Sequence, residues 1–282
     1  MGLHWVSVDA ATFADPAWTA PPRHLVRRSG EVHIWRAFMD EPSVGIPALE
    51  ELFDEEERER AARFFFAEDR RRYDVTHYVM REVLSRYLGS PPDRVRITKD
   101  LRGKPRLEGE SAVGGVQFSM SRSRNLVLIA VAWNREVGID VEYIAPDPID
   151  MSIAQRKYSE KEVAILRALD QERRPEAFFW LWVRKEACLK AAGNGLSLPL
   201  NSVDASLEIT DFIEMAACPD PVQWSSITFK PDRAYAAALC TTGEGVQVRC
   251  LDWSRPWPGV ERESNSNRHI ASSGMARTRP RT

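Results

Sequence analysis

The chain has 282 residues, which exceeds one average domain, so its length allows either one large domain or two fused halves. Hydrophobic residues make up 43% and aromatic residues 9% of the chain, enough apolar material for a packed core. The formal net charge of −2 leaves no overall basic field that would favour nucleic acid or an anionic membrane. These values favour a soluble globular protein that binds neither.

The cysteines are scattered and form no Cys-x-x-Cys pair, so we expect free thiols rather than a zinc site or a redox couple. They are Cys188, Cys218, Cys240 and Cys250. The first residues show no basic segment followed by an apolar run, and no apolar stretch of about 18 residues occurs in the sequence. We therefore expect a cytoplasmic protein.

The first half of the chain combines predicted strands with predicted helices. Residues 31–38 alternate with the period of a half-buried strand. Residues 50–59 and 63–86 favour two or three helices, and Gly89 with Pro91 and Pro92 ends this stretch. Further strands are predicted at 95–98, 116–120, 126–133 and 137–143.

The second half repeats this order of helices followed by strands. Ser159 and Glu162 form a capping-box pattern, and residues 176–192 predict a long amphipathic helix that ends at Gly193. Strands are predicted at 203–209, 223–229, 235–240 and 246–252. The repeat lies in the element order and not in the sequence. It predicts an α+β fold of two similar halves, 1–136 and 137–254, related by a pseudo-twofold and packed side by side with the active site in the cleft between them.

The last segment, 255–282, differs in composition from the rest. It is rich in Arg, Ser, Asn and Pro and has almost no apolar residues, so it cannot bury enough surface to offset the entropy of ordering. We expect a disordered, solvated tail. Its six arginines leave contact with an acidic partner open.

Two carboxylates alternate along the predicted strand 137–143. With a period of two, Asp140 and Glu142 project from one face, and Ile139 and Val141 project from the other. Neighbouring carboxylates repel each other unless water, a basic side chain or a cation compensates them. Mg²⁺, usually held by one or two carboxylates and a substrate phosphate, fits this pair. Such pairs are also routine on exposed strands, so a second cluster must converge on this one.

The long predicted helix carries that second cluster. Trp182, Glu186 and Lys190 are spaced by four residues and share one face. The core-facing stripe comprises Phe178, Leu181, Cys188 and Leu189. Taken alone, Glu186 and Lys190 are typical of a surface ion pair that stabilises a helix.

Taken together, the segments Val137-Gly-Ile-Asp-Val-Glu142 and Trp182-Val-Arg-Lys-Glu-Ala-Cys-Leu-Lys190, about 40 residues apart, resemble the two signature motifs of 4′-phosphopantetheinyl transferases of the Sfp type. The resemblance spans roughly residues 30–240. It includes Gly103-Lys104-Pro105, Phe118-Ser-Met-Ser-Arg-Ser123 and Gly195-Leu-Ser-Leu-Pro-Leu200. It implies two similar α+β halves with coenzyme A bound in the cleft between them.

The resemblance also implies a role for each matching residue. Asp140, Glu142 and Glu186 would hold Mg²⁺, which also binds the pyrophosphate of coenzyme A. Glu186 would be the base for the attacking serine, directly or through water, and Lys190 would stabilise the departing 3′,5′-ADP. The residues implied in binding coenzyme A are Arg72, Lys104, Pro105, Ser121, Arg122, Lys185 and Lys190.

Arg122 departs from the family pattern. Many relatives carry histidine between the two serines of the Phe-x-x-Ser-x-Ser segment, where that histidine meets the 3′-phosphate. Arginine binds phosphate bidentately at any pH, so Arg122 is expected to keep this contact with altered geometry. A drift in donor preference is the other interpretation. Without the family, Lys104 and the arginines around Arg72 would be assigned to solvated surface.

Two other functions stay open. A magnesium-dependent phosphodiesterase or pyrophosphatase would direct water, rather than a serine, at the same pyrophosphate. A non-catalytic scaffold would bind carrier proteins through a degenerate site, but the intact set of Asp140, Glu142, Glu186 and Lys190 argues against it.

The expected protein partner is an acidic four-helix carrier domain that docks near the cleft through apolar and basic side chains. The candidates for this contact are Arg63, Phe64, Phe65 and Arg122. The sequence does not distinguish fatty-acid, polyketide and nonribosomal-peptide carriers. Two fused halves complete the site within one chain, so we expect a monomer.

Overall fold

The computed structural model describes residues 6–7, 15–26, 28, 30–40, 52–112, 114–193, 199–203, 224–243 and 245–255. Its helices are α1 (Glu55–Ala62), α2 (Ala67–Leu88), α3 (Met151–Lys157), α4 (Glu160–Ala168) and α5 (Arg174–Ala191). Its strands are β1 (Val6–Ser7), β2 (Glu31–Phe38), β3 (Ile97–Lys99), β4 (Pro105–Leu107), β5 (Val116–Ser123), β6 (Leu126–Trp133), β7 (Val137–Tyr143), β8 (Trp224–Phe229), β9 (Tyr235–Thr242) and β10 (Gln247–Asp252). Within these residues, no helix has the length and apolar character needed to cross a membrane.

Local sequence signals set the helix ends. The predicted capping box of α4 is present, because the Glu162 amide donates to Ser159 Oγ at 3.3 Å and the Ser159 amide donates to Glu162 Oε2 at 2.8 Å. Asp54 and Glu57 form the same motif at the start of α1. α2 ends at Gly89, whose φ of 64° is the left-handed conformation that glycine adopts without strain.

The strands form two main sheets, each covered by a long helix. The larger sheet has the order β1-β10-β2-β6-β5, and the smaller has the order β7-β9-β8. α2 packs on the larger sheet, and α5 packs on the smaller through a core that includes the free thiols of Cys188 and Cys240. The predicted α+β fold of two halves is thereby confirmed. The hairpin β3–β4 stands beside these layers.

The expectation that residues 31–38 form a half-buried strand is wrong, because β2 is covered on both faces. Trp35 faces the core beneath α2, while Val32 and Ile34 pack against the second sheet. The alternation that suggested a solvent face includes His33, which is buried and hydrogen-bonded to Tyr87 Oη at 2.8 Å. Buried polar side chains therefore imitate the pattern of an exposed face.

The last strand corrects the predicted division of the chain. β10 pairs in parallel with β2, so that Val248 lies opposite Val32. Residues 247–252 therefore belong to the sheet of the first half, although the sequence assigned them to the second. Apart from Val203, the strand predicted at 203–209 lies outside the described residues, as do Cys218 and the predicted tail beyond residue 255.

Candidate active site

The two halves meet where β5 runs beside β7, and serine side chains join these strands. The Ile139 amide donates to Ser119 Oγ at 3.1 Å, and the Tyr143 amide donates to Ser123 Oγ at 3.0 Å. The serines recur every second residue, so all of them face β7. Sequence alone indicated no structural role for Ser119 and Ser123, and Ser123 lies beyond the strand that was predicted at 116–120.

Asp140 lies at the centre of the junction between β5 and β7. Its Oδ1 accepts hydrogen bonds from Ser121 Oγ at 2.7 Å and from Lys190 Nζ at 2.6 Å, and Lys190 Nζ also donates to Ser121 Oγ at 2.9 Å. The side chain is buried, and its Oδ2 has no hydrogen-bond partner among the described residues. Lys190 of α5 thus pairs with Asp140 of β7, within the second half, rather than forming the surface pair with Glu186 that α5 alone suggested.

Gly138 allows α5 to approach β7 closely enough for this contact. A Cβ at position 138 would lie 2.0 Å from the Ala187 carbonyl oxygen and 2.3 Å from the Ala191 amide nitrogen, far inside van der Waals contact. On the adjoining face of α5, about 100° around the helix from Ala187 and Ala191, Glu186 and Lys190 stay partly exposed while their neighbours are buried, as the predicted face requires. The glycine of the first motif therefore positions the residues of the second.

The carboxylates of this site repel one another. Burial raises the pKa of Glu142, and the charge of Asp140 raises it further against a hydrogen bond from Ser123. Burial also raises the pKa of Glu186, again reinforced by Asp140 and opposed by Lys190. A cation beside the three carboxylates would relieve this repulsion.

The donor set fits a divalent cation, although the side chains are not gathered around one point. Within the described ranges, no three His, Cys, Asp or Glu side chains converge as metal ligands. Lys190 Nζ donates to Asp140 Oδ1, and Ser123 Oγ donates to Glu142 Oε2 at 2.8 Å. The buried Asp140 Oδ2 still lacks a partner, and carboxylate oxygens are the ligands that Mg²⁺ prefers. Asp140, Glu142 and Glu186 therefore remain the candidate metal ligands.

A cavity of about 560 Å³, named here the central cavity, opens beside Lys190 between the β3–β4 hairpin, β5 and the end of α5. Its lining comprises Met80, Arg102, Gly103, Lys104, Pro105, Phe118, Ser119, Met120, Lys190 and Gly193. A somewhat larger cavity of about 650 Å³ at the C-terminal end of α2 contains none of the predicted site residues. The central cavity is the candidate ligand site because Lys190, which lines it, donates to Asp140.

Comparison with known proteins identifies this arrangement. A family model described as the 4′-phosphopantetheinyl transferase superfamily matches residues 136–240, and another, described as 4′-phosphopantetheinyl transferase, N-terminal, matches residues 41–134. The chain is 36% identical over 232 residues to 4′-phosphopantetheinyl transferase HetI of Nostoc sp., covering 82% of this chain and 96% of that one. The chain belongs to the 4′-phosphopantetheinyl transferases.

Other relatives agree with the predicted Sfp type of transferase. The 4′-phosphopantetheinyl transferase Sfp of Bacillus subtilis is 31% identical over 186 residues, which are 66% of this chain and 80% of that protein. A solved structure of Thermotoga maritima holo-[acyl-carrier-protein] synthase covers 39% of this chain and 63% of its own, with 25% identity and a TM-score of 0.28. That TM-score is too low to support an argument about the fold.

Arg72 and Arg122, two of the residues that the resemblance implied in binding coenzyme A, lie in a basic cluster on the other face of β5. Arg122, on β5, lies within electrostatic reach of Asp69, Arg60 and Arg72, and burial lowers its pKa. Arg72 Nη2 donates to Glu68 Oε1 at 2.5 Å, while its buried Nε has no hydrogen-bond partner among the described residues. Arg60 was not singled out from the sequence, because one arginine in a charged helix carries no distinguishing signal.

The remaining residues that were implied in binding coenzyme A differ in their positions relative to the central cavity. Pro105 lines the central cavity, and so does Lys104, but the Lys104 ammonium is buried and bonded to protein atoms. The predicted contact of Lys185 with coenzyme A is wrong. Its ammonium is fully buried 2.7 Å from Glu162 Oε2 and also donates to the Leu200 and Val203 carbonyl oxygens. Successive residues of a helix point about 100° apart, so Lys185 is turned away from the cleft that Glu186 faces.

Proposed function

We propose that this transferase moves the 4′-phosphopantetheine group of coenzyme A onto a serine of an apo-carrier protein, in a Mg²⁺-dependent reaction that releases 3′,5′-ADP. The observation that carries this proposal is the 2.6 Å contact between Lys190 Nζ on α5 and Asp140 Oδ1 on β7, which brings the two motifs together. Family membership supports the same reaction.

Asp140, Glu142 and Glu186 would hold the Mg²⁺. When bound, the cation would neutralise charge on the pyrophosphate of coenzyme A. Asp140 Oδ2 offers a buried oxygen for this role, because no hydrogen bond from a described residue occupies it. Ser121 and Ser123 orient the two carboxylates of β7 through hydrogen bonds of 2.7 and 2.8 Å.

Glu186 would accept the proton of the acceptor serine, directly or through one water. In the metal-free protein, burial and the charge of Asp140 raise the pKa of Glu186. Lys190 presents its ammonium to the cleft and would donate to the phosphate of the departing 3′,5′-ADP. Both groups act where charge changes during the transfer.

Arg72 and Arg122 would bind the adenosine bisphosphate end of coenzyme A. If Arg122 contacts the 3′-phosphate, Arg122→Ala should lower kcat/KM for coenzyme A by about 10- to 100-fold, the range for loss of a charged hydrogen bond. Dephospho-coenzyme A lacks this phosphate, so its kcat/KM should change little. Steady-state assays with both donors measure the ratio, and Arg71→Ala, an exposed arginine of the same basic run, is the control. An unchanged ratio in Arg122→Ala would rule out the contact.

The carrier protein would dock beside this basic cluster. Of the predicted contacts, Phe65 is 92% exposed, whereas the ring of Phe64 packs on Tyr73 with centroids 5.3 Å apart. Phe65 and Arg63 are therefore the more accessible candidates for an acidic, partly apolar carrier surface. We further propose a cytoplasmic monomer that serves acyl or peptidyl carriers, including those of polyketide or nonribosomal-peptide biosynthesis.

The competing hydrolase function differs from transfer in that it needs no carrier protein as acceptor. The transferase should release 3′,5′-ADP from coenzyme A only when Mg²⁺ and an apo-carrier are both present, as measured by chromatography of the nucleotide products. Chelation of the metal should stop the release. Release at the same rate without any carrier would instead establish a pyrophosphatase.

A further inference from the structure

Glu136 connects three elements around the central cavity. It lies between β6 and β7, and its Oε2 accepts from Lys104 Nζ at 2.7 Å. Both of its oxygens accept from Arg106 Nη1 at 2.8 Å. Lys104 Nζ also donates to the Ala191 carbonyl oxygen at 2.8 Å, at the end of α5 next to Lys190. One carboxylate thus links the β3–β4 hairpin, the start of β7 and the helix end that carries Lys190.

The Lys104 ammonium is committed to these protein acceptors. The residue is only 8% exposed, and two of its three N–H donors already have carboxylate or carbonyl partners. The residue also lines the central cavity, together with Gly103 and Pro105. This arrangement is typical of a buried lysine that fixes a turn rather than one that awaits a phosphate.

Arg106, on β4 two residues after Lys104, strengthens the same connection. It donates to Asp100 Oδ2 at 3.2 Å and to Gln117 Oε1 at 2.6 Å, in addition to Glu136. Burial alone would raise the pKa of Glu136, but the hydrogen bonds from Arg106 and Lys104 hold it below its usual value. The carboxylate is therefore kept ionised between two cations, and the hairpin is held against β5 and α5.

We propose that Glu136 is a positioning residue for coenzyme A. It holds Lys104 and Arg106 in place, so that the Gly103–Pro105 turn keeps the shape of the central cavity, and the Lys104 ammonium makes no contact with the 3′-phosphate of coenzyme A. This inference rests on the proposed function for the identity of the ligand. It differs from the role that the resemblance implied for Lys104.

The test uses the full-length protein with coenzyme A and dephospho-coenzyme A as donors. Glu136→Gln keeps the shape of the side chain and removes its charge, so KM for both donors should rise about tenfold while kcat stays within about threefold. Lys104→Met, which retains an unbranched side chain, should raise KM for both donors by one common factor. The double variant should be no worse than the poorer single variant, because both changes break the same connection.

Asp252→Asn is the matched structural control. It removes the carboxylate that pairs with Arg36 Nη2 at 2.8 Å between β10 and β2, outside the lining of the central cavity. It should lower the melting temperature without changing KM for either donor. Titration calorimetry with coenzyme A gives a second readout that does not depend on transfer, and the Kd should follow the KM in every variant.

Several results would overturn the inference. They are an unchanged KM and Kd in Glu136→Gln, a loss in Lys104→Met confined to coenzyme A, and an equal rise of KM in Asp252→Asn. The second of these would show that Lys104 binds the 3′-phosphate directly. If the wild-type protein transferred nothing to any carrier, the proposed function would fail, and the calorimetric comparison would still decide the role of Glu136.

Discussion

Glu186→Gln is expected to abolish phosphopantetheine transfer and, at the same time, to stabilise the Mg²⁺-free protein. Transfer should fall by roughly 10³-fold or more, because the variant loses both the proposed base and a proposed metal ligand. Stability should rise because one of three mutually repelling carboxylates becomes neutral. Allowing for its partial exposure, a gain of about 1 kcal/mol would raise the melting temperature by roughly 2–4 °C.

The repulsion between the carboxylates should also make the stability of the Mg²⁺-free protein depend on pH. The pKa values of Glu142 and Glu186 are raised in the folded protein, so their ionised forms disfavour folding. This destabilisation is absent below the ordinary carboxyl pKa and grows as the pH rises through the raised values. The melting temperature of the Mg²⁺-free wild type should therefore fall more than that of Glu186→Gln as the pH rises above the ordinary carboxyl pKa of 4.5.

Glu176→Gln, at the other end of α5, is the control for both measurements. A hydrogen bond from Lys230 holds the pKa of Glu176 below its usual value, so this substitution should not stabilise the protein. It should leave transfer near the wild-type rate. Near-normal transfer by Glu186→Gln would remove Glu186 from both proposed roles, and a lower melting temperature in that variant would contradict the repulsion.

Gly138→Ala is expected to inactivate the protein by separating its two motifs. The added methyl group would meet backbone atoms of Ala187 and Ala191 at 2.0 and 2.3 Å, and backbone atoms cannot rotate out of the way. The helix must then move away from β7, at a cost of about 3 kcal/mol or more. Displacing Lys190 from Asp140 by about 1 Å should lower kcat by 100-fold or more in whatever protein still folds.

Gly89→Ala is the control that distinguishes loss of the close contact between Gly138 and α5 from a general effect of replacing glycine. Gly89 has a φ of 64°, and a Cβ there would meet nothing within 4 Å. Its replacement should cost about 1 kcal/mol through backbone strain and leave transfer unchanged. Thermal unfolding and steady-state kinetics of both variants decide the matter. A folded, fully active Gly138→Ala would show that α5 does not need this glycine.

The local part of the site could be predicted from the sequence because it depends on simple periods. A period of two placed Asp140 and Glu142 on one face of β7, and a spacing of four placed Glu186 and Lys190 on one face of α5. The meeting of these faces was suggested only by the family resemblance. Its physical cause, the absence of a Cβ at Gly138, depends on a contact between elements that are distant along the chain.

The features that the sequence predicted wrongly also depend on packing between elements that are distant along the chain. Lys185 stands in the second motif, but its direction depends on Glu162 of α4, which pairs with it. The place of β10 beside β2 joins chain segments about 200 residues apart, and the two faces of β2 are buried by α2 and by the second sheet. Glu136 gave no signal at all, because a lone glutamate before a strand is typical of solvated surface.

The central claim is tested most directly by the intact mass of the acceptor. The protein is incubated with coenzyme A, Mg²⁺ and a panel of apo-carrier domains from fatty-acid, polyketide and nonribosomal-peptide systems. The account predicts that at least one carrier gains the mass of a single phosphopantetheine group, and that its acceptor-serine-to-alanine variant gains none. A panel in which no carrier gains this mass, with a folded protein and Mg²⁺ present, would contradict the account.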